Sequence, residues 1–212
     1  MKRILNFLLG FGMLFVLTSA FSSNASAAEL LTLDEKTQYY QEYQKIVDEL
    51  REEYPDADFT LLEFKDFGEQ DWVEQAKFRE NIVTILEGGI NFVVQEQQEF
   101  TTLSSGGAGP TPTKYVDAYS SNGTYLGQVV VNATVTTKYD SSVKGQVITG
   151  ITNVSSYTMH GLSHWSQSSA RGSKETNQKW NLKLTGNFHT GGVSYPQAFD
   201  IPYRCTNSGT IY

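Results

Sequence analysis

Hydrophobic and polar positions follow two different periods along this chain, and the change of period divides it. Between residues 33 and 54, apolar side chains recur at spacings of three and four, which is the period of an amphipathic helix. Beyond residue 113 they alternate with polar side chains, which is typical of β-strands with one buried face. A Ser-, Gly- and Pro-rich stretch over residues 104–113 separates the two patterns and predicts a linker.

The first predicted helix carries its own start and stop signals. Thr32 and Glu35 have the spacing of a capping box, and Pro55 cannot continue a helix, so this helix should span residues 33–54. Its apolar positions form one tyrosine-rich stripe that needs a surface to pack on. The stripe comprises Tyr39, Tyr43, Ile46, Val47, Leu50 and Tyr54.

A second helix is predicted over residues 71–87, followed by Gly88 and Gly89 as a C-cap. Two short apolar runs, residues 59–64 and 90–94, are candidate strands, although the second run could also continue the helix. Two helices bury little surface by themselves. They should therefore pair with these runs or dock on the β part.

The longest alternation covers residues 124–140. The Asn122-Gly123 pair just before it predicts a hairpin turn, with residues 115–120 as the partner strand. One side of the long strand should be apolar and the other polar. The predicted apolar side consists of Tyr125, Val129, Val131, Ala133, Val135 and Tyr139.

A second two-faced strand is predicted near residue 180, where Trp180, Leu182 and Leu184 alternate with polar residues and should face inward. Residues 143–154 are rich in β-branched side chains and also favour a strand. The Ser- and Gly-rich residues 166–173 predict a loop between strands.

These elements predict a mainly β fold: an antiparallel β-sandwich C-terminal module with an N-terminal α-helical segment, with a small closed barrel as the alternative. The predicted organisation is a signal peptide over residues 1–27, an acidic helical segment over 28–103, the linker over 104–113 and the β-sandwich module over 114–212.

The N-terminus has the parts of a secretory signal peptide. Two basic residues precede an apolar run over residues 4–20, and Ala25-Ser26-Ala27 provides an A-x-A cleavage site. The next apolar runs are too short to span a bilayer, so the expected mature chain has no transmembrane segment. We expect it to be secreted, either extracellular or associated with the cell surface.

Charge is distributed unevenly between the two parts. Residues 29–100 carry 19 acidic against 6 basic side chains, whereas residues 101–212 carry 4 against 8. Opposite charge predicts an intramolecular contact between the helical segment and the β module. The positive excess is too dilute to indicate nucleic acid, and a cell-surface polymer or protein is the expected external partner.

Candidate chemistry is sparse. His160 and His164 have the i, i+4 spacing of a helical zinc pair, but on a strand they would lie ~13 Å apart. A loop could bring them together, and His189 could complete a site. We nevertheless expect the three histidines to be structural or surface residues, and we expect no metal and no cofactor.

Cys205 is the only cysteine, so an internal disulfide is excluded. It is predicted to be a small, half-buried residue; the alternatives are a free thiol, an intermolecular disulfide or a thiol dyad with one of the histidines. No thiol or serine nucleophile signature occurs, and no catalytic residue is therefore assigned.

Tyrosines are the most suggestive residues of the β part, which holds most of the chain's 12. Ordinary core and surface positions account for such residues in most sandwiches. The functional interpretation is an exposed Tyr/Trp platform that binds sugar rings or a peptide.

An acidic helical stretch over residues 40–50 and a Thr/Val-rich stretch over residues 127–136 follow the signal peptide. This layout resembles that of small secreted proteins of Gram-positive bacteria, and the resemblance implies secretion but no activity and no functional residue. The predicted function is that of a secreted or cell-surface protein acting by binding, with its ligand open. The alternatives are a secreted toxin or bacteriocin-like effector with an acidic propeptide, and a secreted hydrolase with an unidentified active site.

Overall fold

The computed structural model describes residues 31–95 and 113–212, and chain contacts group residues 31–212 into one compact unit. The predicted signal peptide lies outside the described residues, as does the predicted linker apart from Thr113. Within the part of the chain that is described, no helix has the length and apolar character needed to cross a bilayer.

The described residues form two α-helices, two short 3-10 helices and eight strands. The α-helices are α1 (Leu33–Glu53) and α2 (Gln75–Gly88), and the 3-10 helices are Phe64–Asp66 and Glu69–Asp71. The strands are β1 (Thr60–Leu61), β2 (Ile90–Val94), β3 (Lys114–Ser120), β4 (Tyr125–Asp140), β5 (Gly145–His160), β6 (His164–Lys174), β7 (Lys179–Thr190) and β8 (Val193–Arg204).

The strands build two four-stranded antiparallel sheets, with orders β1-β8-β7-β6 and β2-β3-β4-β5. The inward faces of both sheets supply one buried core that includes Val129, Val131 and Trp165. Leu182 and Leu184 are 0% exposed in this core, which confirms their predicted orientation. The predicted antiparallel β-sandwich with an N-terminal helical segment is confirmed.

The described residues before the predicted linker, 31–95, contribute a strand to each sheet. We call these residues the front part. Strand β1 pairs with β8, and β2 pairs with β3. Phe92 of β2 stacks on Phe199 of β8 with ring centroids 4.4 Å apart. Contacts of this kind favour one structural unit over two separate modules, and the predicted division into a helical segment, a linker and a β-sandwich module over residues 114–212 stays a prediction.

The two α-helices pack on each other and on the beginning of β8. Tyr43 stacks on Phe78 at 3.8 Å between ring centroids, and its hydroxyl accepts a hydrogen bond from the Val73 N–H at 2.8 Å. Burial raises the pKa of Tyr43 to about 12. Val193 and Tyr195 of β8 complete this second buried cluster, which confirms the predicted contact between helical segment and β module.

That contact is apolar rather than ionic. Each ion pair recorded among the described residues joins two residues of the same part, as Arg79 does with Glu49 at 3.0 Å and Lys179 with Glu175 at 2.7 Å. Packing and strand pairing join the two parts in the described structure. At the β7–β8 turn, Gly192 has φ +78°, and an added Cβ there would lie 2.6 Å from the Phe67 ring.

The bounds of the elements correct two sequence predictions. Helix α1 has its predicted capping box, but α2 begins at Gln75 rather than at residue 71, and residues 69–71 form a separate 3-10 helix. The loop predicted over residues 166–173 is wrong, since these residues belong to strand β6. Serine and glycine have low strand propensity, but pairing with β7 and the buried Trp165 anchor override it.

Candidate binding face

The outward side of the β2–β5 sheet collects tyrosines from three strands. On β3, Tyr115, Asp117 and Tyr119 alternate with inward residues such as Val116, which is 0% exposed. Register places Tyr119 opposite Tyr125, Asp117 opposite Gln128, and Tyr115 in line with Val130 and Tyr157. We call the outward residues of this part of the sheet the tyrosine face: Val93, Gln95, Tyr115, Asp117, Tyr119, Tyr125, Gln128 and Tyr157, together with Val130, which is only 1% exposed between Tyr115 and Tyr157.

Tyr125 reaches this face through a β-bulge. Strict alternation predicted it on the same side as Val129, and that prediction is wrong. The register shifts between Ala118 and Tyr119, so Leu126 has no partner on β3 and packs against the core instead. Tyr139, predicted on the apolar side as well, is 62% exposed near the far end of β4, beyond two further register shifts.

Several side chains of the tyrosine face are open to solvent. Tyr157 is 50% exposed, Tyr125 44% and Val93 47%. Tyr119 and Tyr125 meet edge to face with ring centroids 5.6 Å apart, which fixes both ring planes. The face therefore combines accessible aromatic carbon with phenolic hydroxyls.

Asp117 is the polar centre of the face. One carboxylate oxygen accepts from Gln128 Nε2 at 2.8 Å, and the other accepts from Gln95 Nε2 at 2.6 Å. Each glutamine amide has the capacity for a further donor and an acceptor besides this bond. Burial, and then the charge of Asp117, raise the pKa of the Tyr125 phenol, which keeps its hydroxyl protonated near neutral pH.

Such an arrangement can hold a ligand that has both apolar and hydroxyl-bearing surfaces. Tyrosine rings bury apolar area at little cost in conformational entropy. The Gln–Asp–Gln row offers donors and acceptors in fixed positions. Asp117 is the only Asp, Glu, Lys or Arg among the residues named for the tyrosine face, and both of its carboxylate oxygens already accept hydrogen bonds from the two glutamines.

Two of the three histidines, His164 and His189, lie together on the other sheet. His164 and His189 stack with ring centroids 5.7 Å apart, and Ser166 Oγ lies 2.8 Å from His189 Nε2. His189 Nδ1 is buried and has no hydrogen-bond partner in the described part of the chain. Burial, then the neighbouring His164, lower the pKa of His189, while Asp66 opposes them.

No group of three His, Cys, Asp or Glu residues within the described ranges is placed to hold a metal ion. His160 ends strand β5, and its side chain lies outside the described structure. The short turn to β6 places His160 at the end of β5 and His164 at the start of β6, on strands of different sheets rather than along one strand.

Cys205 is a free thiol and is more buried than predicted, at 3% exposed. Its Sγ donates to the Gln146 carbonyl at 3.3 Å, and burial raises the pKa of the thiol. His189 lies opposite Ser194, ~35 Å from Cys205 along the extended β8 strand. That separation rules out a thiol dyad with His189 or with its neighbour His164.

The sequence indicated a tyrosine platform but not its polar centre. Asp117 lies on β3 and Gln128 on β4, and Gln95 directly follows β2. Gln95 belongs to the predicted acidic helical segment, where no motif marks it. The alternation of Tyr115, Asp117 and Tyr119 was the one signal that could have drawn attention to Asp117.

Comparison of the chain with protein-family models, curated proteins and solved structures found no significant match. The functional argument therefore depends on the geometry of the chain itself.

Proposed function

We propose that this chain is a secreted or cell-surface binding protein, and that the tyrosine face is its binding site for a neutral polysaccharide. The observation that carries the proposal is the Asp117 carboxylate held between Gln95 and Gln128 and surrounded by tyrosines on an accessible sheet surface.

The chemistry of the face suits sugar rings better than a charged polymer. A pyranose ring has an apolar C–H side that packs on an aromatic ring, and hydroxyls at its edge that need donors and acceptors. Tyr125 and Tyr157 offer the first kind of contact. The Gln–Asp–Gln row offers the second kind. Tyr115, Asp117 and Tyr119 follow one another along β3, so the face fits an extended chain rather than a compact ligand.

Secretion supports the proposal because polysaccharides are exposed outside the cell. The expectation of secretion rests on the signal peptide predicted over residues 1–27. N-terminal sequencing of protein recovered from the culture medium should give Ala28 or Glu29. Full-length protein retained with the membranes would contradict secretion.

Binding is tested with the mature chain and insoluble chitin, cellulose and peptidoglycan as probes. We expect retention on at least one of them and little change between about 0.1 M and 1 M salt, where the Debye length falls from about 10 Å to about 3 Å. Tyr125→Ala and Tyr157→Ala should each weaken binding at least about fivefold.

Tyr139→Ala is the matched control, since Tyr139 is also an exposed tyrosine of β4, at 62%, but lies outside the tyrosine face. It should bind as the parent protein does. Equal weakening by all three substitutions, or no retention by any probe, would exclude the tyrosine face as a polysaccharide site.

A hydrolase is the second candidate, and one contact favours it. Ser166 Oγ and His189 Nε2 lie 2.8 Å apart, as a nucleophile and a general base would. A lowered pKa keeps His189 neutral near pH 7 and able to accept a proton. The third group of a triad is missing, because His189 Nδ1 has no partner among the described residues. Hydrolysis of p-nitrophenyl esters that disappears in Ser166→Ala would establish this candidate.

The propeptide hypothesis receives less support. Removing the front part would take β1 and β2 out of the two sheets and expose Val193 and Tyr195 of β8. A segment that completes both sheets is costly to release.

A further inference from the structure

A pocket lies away from the tyrosine face, where α2 meets the sandwich. This open cavity of about 240 Å³ is bounded by α2, the β3–β4 turn and the β7–β8 turn. Ile82, Ile85 and Leu126 give it an apolar side. Ser120 and Thr124 belong to the turn between the two strands that carry Tyr119 and Tyr125, but no residue of the tyrosine face lines the cavity.

Polar side chains in this cavity lack protein partners. Tyr195 is 3% exposed, and its hydroxyl makes no hydrogen bond to any described residue. The half-buried side chains of Asn81 and Thr190 line the same space and likewise make no side-chain hydrogen bond to described residues. Donors and acceptors that make no bond within the described protein are available to a ligand. Three such groups line this one cavity.

The charged side chains at the cavity narrow the chemical class of ligand that it fits. Lys77 and Glu80 stand at the cavity and pair with each other at 2.9 Å, so neither brings an uncompensated charge. Burial raises the pKa of the Tyr195 phenol, which keeps it a hydrogen-bond donor. The volume is below the roughly 300–1,000 Å³ typical of sites for drug-sized ligands.

We propose that this cavity binds one neutral, polyhydroxylated ring of the size of a monosaccharide. Its C–H side packs on Ile82, Ile85 and Leu126, and its hydroxyls pair with Tyr195, Asn81 and Thr190. The site is independent of the tyrosine face, because the two share no residue.

The test uses the mature chain and ligand-detected NMR or calorimetry with glucose, galactose, mannose and N-acetylglucosamine. At least one of them should bind saturably with a dissociation constant on the order of 1 mM, as expected for a ligand of so few atoms. Tyr195→Phe and Asn81→Ala should each weaken that binding roughly threefold to tenfold.

Tyr195→Phe keeps the ring in its buried cluster, so its melting temperature should stay close to that of the parent protein. Tyr139→Ala is the control, because Tyr139 lies outside both the cavity and the tyrosine face, and it should leave monosaccharide binding unchanged. The proposal is overturned if no sugar binds saturably, if both cavity variants bind as the parent does, or if crystals soaked with the sugars show ordered water alone in the cavity.

Discussion

The two sheets of the sandwich share one core but turn different surfaces to solvent. The β2–β5 sheet presents tyrosines around Asp117, whereas the β1-β8-β7-β6 sheet presents small and charged side chains. On the latter, Arg171, Lys183 and Asp200 lie side by side in register, and all three are exposed. Folding therefore does not require aromatic rings on an outward face of this sandwich. The tyrosines of the β2–β5 sheet call for another explanation, and ligand binding supplies one.

Deleting the front part should have the largest effect, because both sheets lose a strand. A chain of residues 114–212 loses β2 from the tyrosine-bearing sheet, β1 from the other, and Phe92 from the shared core. We expect this fragment to lack a cooperative thermal transition by circular dichroism, while residues 29–212 melt cooperatively. A strand spectrum with a sharp transition in the fragment would instead establish an autonomous β module.

Substitution in the core tests what both sheets share. Leu182→Ala should lower the free energy of unfolding by about 2–5 kcal/mol, because Leu182 is 0% exposed between the sheets. Lys183→Ala on the outward side of the same strand is the control and should stay within about 0.5 kcal/mol. Urea denaturation measures both. A Leu182→Ala effect as small as the control's would contradict the assignment of the core.

Periodicity was sufficient to predict the fold class but not the partners of each element. The helix over residues 33–54 carried a capping box and a stripe, both of which depend on residues close together in sequence. The pairing of β1 with β8 and of β2 with β3 depends on contacts between residues far apart, which no local pattern encodes. The predicted separation into a helical segment and a β module could not reveal that the front part would supply strands.

The candidate site shows the same limit. A one-residue register shift moves a side chain to the opposite face of a sheet, and the bulge at Leu126 does this to Tyr125. The sequence thus indicated a platform of aromatic residues, but not which tyrosines would belong to it. Asp117, Gln95 and Gln128 meet through strand order, which becomes visible only in the folded chain.

Making the tyrosine face resemble the other face should separate binding from stability. The double substitution of Tyr125 and Tyr157 by Ser should change the free energy of unfolding by about 1 kcal/mol or less, since both side chains are roughly half exposed. Polysaccharide retention should fall at the same time. Unfolding in urea gives the first quantity. A loss of several kcal/mol would mean that these rings serve the fold, and the comparison of the two faces would lose its functional meaning.

The smallest expected effect is a pH dependence that belongs to the other sheet alone. Burial and the adjacent His164 lower the pKa of His189 in the folded chain, against about 6.5 for an unperturbed histidine. The unfolded chain therefore binds the proton more readily. The contribution of His189 to stability is complete above about pH 6.5 and is lost as the pH falls through the folded-state pKa. His189→Gln should make the urea midpoint less sensitive to acid over this range, and His164→Gln should remove a smaller share of the sensitivity. All three proteins carry the same carboxylates, so the difference between parent and variant at each pH reports chiefly on the histidine. Identical pH profiles for the parent and His189→Gln would mean that burial does not disfavour the charged ring at this position.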